Sequence, residues 1–336
     1  MSLFSTALRQ VREAGAVSLI LFRIMVPVVI AVKLLEELGA VKYIAAGFKP
    51  LMNLVGLPGE MGLVWATSVL TNMYGGMATF ASLAPELHLT TAQTTVMACM
   101  ILVAHSMAVE TTIAGKSGVR AGFMVPFRLL SAILLGFLLH RAFDLSDILR
   151  GESRILWEAS GGGGSIPEWA VEQVRNLAAI YVIVLFLIVL MKILDKAGVT
   201  RAMNRLLAPV LSSMGISESA SMVTILGMVL GISYGGGLII KYVRSGRLSD
   251  RDVFFSISLM SILHAVIEDT LLMISIGGSI LGVFFARMLF TWMVMRLMVG
   301  MVNAISDETF YRVFFKRNVK ETSSQETVSV RDDDSY

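Results

Sequence analysis

The chain has 336 residues, with 28 Lys and Arg against 25 Asp and Glu, for a formal net charge of +3. It is 55% hydrophobic and 16% charged, with a mean hydropathy of +0.74; an ordinary soluble domain carries about 25% charged residues. This balance excludes a soluble enzyme and defines an all-α polytopic membrane protein. The basic residues sit in loops and tails, which fits membrane orientation and not nucleic-acid binding. The single cysteine, Cys99, excludes an intrachain disulfide and a Cys-based metal site.

In chain order, residues 1–16 form a short amphipathic lead-in. Arg9 and Arg12 precede an apolar run that is longer than a signal-peptide core and has no convincing cleavage site, so 17–36 reads as an uncleaved first span. Residues 40–57 are a weaker segment, interrupted by Lys42, Lys49 and Pro50. The apolar stretch 62–83 is interrupted by Asn72, Gly75 and Gly76. Thr90 or Thr91 can cap a helix over 91–114 that carries His105 and Glu110. A loop with Lys116, Gly118 and Arg120 leads to 121–140. The stretch 141–176 is polar, holds SGGGGS at 160–165 and is flanked by Trp157 and Trp169; it reads as the main linker. Apolar segments then resume at 177–195, 199–216, 220–240, 250–275 and 280–303. A tail over 304–336 turns polar and is expected to be largely disordered.

The second half repeats the first. At an offset of 159, Gly39 matches Gly198, Pro50 matches Pro209, Gly56 matches Gly215 and His105 matches His264. Thr111 and Thr270, Gly118 and Gly277, and Arg128 and Arg287 follow in the same register. Tyr74-Gly75-Gly76 matches Tyr234-Gly235-Gly236 at an offset of 160. Rare residues held in one register point to duplication, giving repeats over 17–140 and 177–303. The loop 83–90 has no Lys or Arg, whereas its counterpart 241–251 has Lys241, Arg244, Arg247 and Arg251; the bias reverses for 115–121 and 275–280. The repeats are therefore expected to be inverted in the membrane, with about five segments each, some broken or re-entrant. Both termini then lie in the cytoplasm and the linker outside. Either three or five crossings per repeat satisfies the inversion.

The chemistry-bearing residues are few. Paired glycines at membrane depth weaken a helix and free its carbonyls, which suits a site; close helix packing is the alternative. Asn72 and Ser233 lie beside the two glycine pairs. His105 and Glu110 are five apart, about 140° around a straight helix, so they do not share a face. His264 and Glu268 are four apart and do, while Asp269 is the match of Glu110. Together with Thr111 and Thr270 these groups could bind a cation, carry a proton or hydrogen-bond a polar solute. The alternative is that each His pairs with a carboxylate and locks the bundle. Glu110 and Asp269, being equivalent, are expected to act alike. Arg128 and Arg287 read as snorkelling towards the interface. There is no Walker motif, dinucleotide-binding fingerprint, HExxH or GxSxG, so no catalytic residues, metal centre or cofactor are expected.

Paired apolar repeats with a Gly-Gly segment followed by a His and acidic helix resemble the nucleoside-recognition, or Gate, family. Such domains occur in concentrative nucleoside transporters, in the membrane part of the ferrous-iron transporter, and in spore maturation proteins A and B. The chain resembles two Gate units in tandem, like a fusion of the last pair. The resemblance implies a multi-pass protein of the bacterial inner membrane with transporter-like architecture; it does not imply a substrate. The sequence shows neither the GTPase domain of the iron transporter nor the extra helices of a nucleoside transporter. Two functions are carried forward. One is a transporter-like protein binding a small polar solute or cation through Asn72, Tyr74, Gly75, Gly76, His105, Glu110, Thr111, Ser233, Tyr234, Gly235, Gly236, His264, Glu268, Asp269 and Thr270. The other is a non-transporting membrane scaffold that binds a partner. The lipid bilayer is the surrounding partner, and a homo-oligomer is compatible with the sequence.

Overall fold

A computed structural model describes residues 37–154, 166–196, 207–230 and 248–316, with scattered positions between 15 and 35 and at 198. Ser233, Tyr234, Gly235 and Gly236 lie outside the described residues, as do SGGGGS at 160–165 and the tail from 317. The protein is all-α. The helices are α1 (Val41–Leu54), α2 (Met61–Leu70), α3 (Met73–Leu87), α4 (Thr91–Ala104), α5 (Met107–Lys116) and α6 (Ala121–Ser146) in the first half. The second half holds α7 (Ile166–Lys196), α8 (Leu207–Ser213), α9 (Glu218–Leu230), α10 (Asp250–Ile262) and α11 (Val266–Ser275). A π-helical segment (Leu281–Ala286) then leads into α12 (Arg287–Ala304), followed by the short α13 (Asp307–Val313).

Among the described residues four stretches are long and apolar enough to cross a bilayer: Thr91–Lys116, Ala121–Ser146, Asp250–Ser275 and Leu281–Ala304. Leu130, Leu134 and Leu138 form an exposed stripe along α6, and Leu289, Met293 and Leu297 form the matching stripe on α12. Apolar stripes left open at four-residue spacing are what a lipid-facing helix presents.

Backbone conformation confirms the duplication. Gly39 and Gly198, Gly56 and Gly215, and Gly118 and Gly277 all have positive φ. The matched non-glycine pair Ser106 and Ala265 is also left-handed, at φ 51° and 43°. The helix caps repeat as well: Thr90 caps α4 in a full capping box with Gln93, and its counterpart Ser249 caps α10.

The halves are antiparallel. α6 has 26 residues and spans about 39 Å. At its start the Gly118 carbonyl accepts from Lys316 N, and Gly118 packs on the Phe315 ring. Beyond its other end Ser153 Oγ donates to the carbonyl of Gly277. The matched loops at 118 and 277 thus sit at opposite ends of the same span, each held by the segment that follows the last helix of the other repeat. The capped starts of α4 and α10 are likewise at opposite ends: Thr91 N donates to Gly151 O, and Tyr311 hydroxyl donates to Asp250.

α2 and α3 form a re-entrant hairpin. Gly56 O accepts from Gln93 at the Thr90 end, and Leu89 O accepts from Ser153 N at that same end. Both legs therefore open to one side, and the tip lies at Thr71–Asn72. α1 has 14 residues, about 21 Å, too short to cross a core of about 30 Å.

Three expectations need correction. Gly75 and Gly76 are not unwound: they lie in the first turn of α3, and the chain breaks before them, at Asn72, whose side chain accepts from Gly75 N. Their smallness serves packing, since a Cβ on Gly76 would stand 2.6 Å from Ser68 Cβ on the facing leg. The polar stretch 141–176 is partly helical, because α6 runs on to Ser146 and α7 begins at Ile166. The start of the tail is ordered too: α13 presents Phe310, and Phe315 follows it, both fully buried against Phe254 and Gly118.

Candidate functional site

α4 and α10 enter from opposite ends and both break at their histidine. His105 is extended (φ −76°, ψ 168°) and Ser106 is left-handed, after which the chain restarts as α5. In the second repeat Leu263 and Ala265 make the equivalent break before α11. The 14 residues of α4 place His105 about 21 Å from one end, near the middle of the bilayer. There the two rings meet, with centroids 5.1 Å apart.

The breaks change which groups meet. On a straight helix His105 would point away from Glu110; with the helix broken, His105 Nε2 lies 3.4 Å from Glu110 Oε1. His264 Nε2 reaches the same oxygen from the other repeat at 3.7 Å. The other nitrogens are held locally: His105 Nδ1 donates to Ile101 O at 3.0 Å and His264 Nδ1 to Met260 O at 2.7 Å. Glu110 and Asp269 each sit in the first turn of a half-helix, where the backbone dipole favours an anion.

Arg128 and Arg287 do not snorkel. They are 0% and 1% exposed. Arg128 Nε donates to Val103 O at 3.0 Å, and its Nη2 donates to His105 O at 2.8 Å. Arg287 Nη2 donates to His264 O at 3.2 Å. Ending a helix at membrane depth orphans its last carbonyls, and a guanidinium with five donors can satisfy several at once. Arg128 Nη2 also lies 3.1 Å from Glu110 Oε2, close enough for an ion pair but too poorly aligned for a hydrogen bond.

The hairpin tip joins this centre. Ser106 N donates to Ser68 O at 3.0 Å, and Tyr74 hydroxyl donates to Glu268 Oε1 at 3.3 Å across the repeats. Of the residues expected to form the site, Tyr74, His105, Glu110, His264 and Glu268 therefore converge. Asn72 is a helix cap, and Gly75 and Gly76 are packing positions. Thr111 Oγ1, Thr270 Oγ1 and Asp269 Oδ2 are buried without a hydrogen-bond partner among the described residues, as are Arg287 Nε and Nη1. His105, Glu110 and His264 are buried; a cleft of about 190 Å³ lies elsewhere, at the end of α6 between Gly56, Gln93, His140 and Arg150.

Sequence reasoning missed two things here: the arginines as helix caps, and the shared role of Glu110. The register match of Arg128 with Arg287 was the available signal for the first.

Antiparallel repeats, a re-entrant hairpin and two helices broken face to face at midplane define a polytopic membrane protein. Residues 18–120 match the family model described as Gate, nucleoside recognition. That stretch contains the hairpin, His105 and Glu110. The chain is also similar to the uncharacterized membrane protein YvoD of Bacillus subtilis (strain 168), 26% identical over 263 residues, which cover 76% of this chain and 81% of that protein. No solved structure matches the chain.

Proposed function

We propose that the protein binds a small polar solute or a cation where the two inverted repeats meet, and carries it across the bacterial inner membrane. The observation behind this reading is the convergence of His105 and Glu110 from one repeat with His264 from the other, each delivered by a helix broken at midplane. Broken helices present dipole ends and free carbonyls to a ligand, and ionisable groups at that depth are costly to keep without use. The unpartnered Thr111, Thr270, Asp269 and Arg287 atoms offer a polar solute further donors and acceptors. Alternating access would follow from one repeat rocking on the other about this point. The reversed loop charges support an orientation with both termini in the cytoplasm, the 153 and 277 end outside and the 118 and 315 end inside.

A second reading has its own support. Arg128 pairs with Glu110 and caps α4, so the cluster could lock the bundle of a scaffold that moves nothing. Proteoliposomes decide between them. Labelled nucleosides and monovalent and divalent cations are tested for uptake against empty vesicles, with and without a proton gradient. Uptake that Glu110→Gln abolishes supports the transporter. No uptake of any of them, from protein that melts cooperatively, supports the scaffold.

A further inference from the structure

We propose that His105 Nε2, His264 Nε2 and Glu110 Oε1 form a site for one divalent first-row transition-metal ion. This deepens the preceding reading by naming the cation. Only the movement of the ion rests on that reading; its binding does not.

The tautomers come first. A backbone carbonyl can only accept, so Nδ1 of each His carries the proton it gives to Ile101 O or Met260 O. In a neutral imidazole Nε2 then presents a lone pair. Both Nε2 atoms lie near Glu110 Oε1, at 3.4 and 3.7 Å. All three ligand atoms lie within 4.8 Å of one another. Three electron-pair donors gathered this closely repel unless a cation lies among them.

Distance selects the cation. A hydrogen bond between oxygen and nitrogen closes to about 2.7–3.2 Å and joins two atoms, not three. A metal with bonds of about 2.0–2.1 Å to N and O sets neighbouring tetrahedral ligands about 3.3 Å apart. The two spacings to Glu110 Oε1, 3.4 and 3.7 Å, are near that edge length, and side-chain rotations that close the remaining one complete the polyhedron. The surroundings agree. Each ligating His is oriented by a carbonyl on its far nitrogen, the usual support of a metal-bound imidazole. Arg128 lies against Glu110 Oε2 and leaves Oε1 to the ion. The guanidiniums of Arg128 and Arg287 oppose a cation, but the carboxylates of Glu110, Glu268 and Asp269 outnumber them. Two imidazoles and one carboxylate without thiolate suit Zn²⁺, Fe²⁺ or Ni²⁺ and not Mg²⁺ or Ca²⁺.

The test uses the full chain in detergent, without a polyhistidine tag and with His88→Gln and His140→Gln. The protein has four His, so His105 and His264 are then its only imidazoles and the buried cluster is untouched. The protein is titrated with Co²⁺ and with Zn²⁺. The expected result is one ion per chain, X-ray absorption showing imidazole ligation of Co²⁺, displacement by Zn²⁺ and none by Mg²⁺. Adding Glu110→Gln should weaken binding about 10-fold or more, the scale on which lesser supporting contacts already matter. Folded protein that takes up neither metal, or Co²⁺ bound without imidazole, overturns the site. Metal bound but not carried into proteoliposomes leaves the site standing and removes translocation. A nucleoside carried by a chain that binds no metal removes the site and leaves translocation standing.

Discussion

Arg128 donates to the backbone oxygen of His105 at 2.8 Å, so the cation and the helix break are one device. The break exposes carbonyls that only a multi-donor group could satisfy at that depth, and the arginine is tolerated there because the carbonyls and Glu110 receive it. Replacing Arg128 with Met strands all of them. Removing one partner of a buried ion pair costs about 3–5 kcal/mol. Arg128→Lys should recover little, since an ammonium lacks the planar fork. Glu110→Gln in the Arg128→Met background should recover part of the loss. Thermal melting of the single and double variants in detergent checks this; independent, additive effects would show that the pair is not coupled.

The hairpin carries its own prediction. A methyl on Gly76 meets Ser68 Cβ at 2.6 Å, and overpacking of this kind costs about 1–3 kcal/mol. Gly76→Ala should lower the melting temperature, and Ser68→Gly should restore much of it by removing the opposing Cβ. Without that rescue, the close approach of the two legs is not what requires glycine.

Antiparallel repeats place Glu152 and Glu308 at opposite faces. In a Cys99→Ser background, Glu152→Cys should react with an impermeant thiol reagent applied to whole cells. Glu308→Cys should react only after the membrane is opened. Labelling of both from one side would contradict the inverted arrangement.

The two carboxylates should not behave alike, although their positions are equivalent. Among the described residues Glu110 faces both imidazoles, whereas Asp269 lies within electrostatic reach of Arg287, Glu268 and Glu110 and pairs with neither His. Glu110→Gln should therefore weaken ligand binding far more than Asp269→Asn does. Equal losses, measured by the same titration on equally stable proteins, would mean that the ligand sits on the symmetry axis and not on the Glu110 side.

Much of the fold was legible because rare residues mark it. Gly56 and Gly215, and Gly118 and Gly277, occupy left-handed turns that a side chain would strain, so they stand out in register. The inversion was legible in loop charge. The breaks at His105 and His264 were not. Neither carries Gly or Pro; Ser106 and Ala265 are left-handed without a sequence signal, and the cause is tertiary, through the Ser68 carbonyl and the arginines. Missing the break also misplaced Glu110, because a straight helix sends it away from His105. The meeting of His105 with His264 had no local pattern either, since the two are far apart in the chain and only the antiparallel packing unites them. In the hairpin the pattern was seen, but the position of the break was misjudged: it falls at Thr71 and Asn72, and Asn72 caps the helix that contains the glycines.

The reciprocal latches, Gly118 with Phe315 and Gly277 with Ser153, have a consequence for how the chain is made. Each half is completed by a segment of the other, and the hydrophobic clusters mix residues of both: Leu272, Val283 and Phe290 with the first, Val119 and Met124 with the second. Among the described residues the contacts that complete each half are therefore made across the halves and not along the chain. Two separately translated polypeptides, divided between 155 and 165, should find each other in the bilayer as a heterodimer with the same interior. Either one alone would keep the arginine on its own break but would lose the facing imidazole and expose the broken helix to lipid.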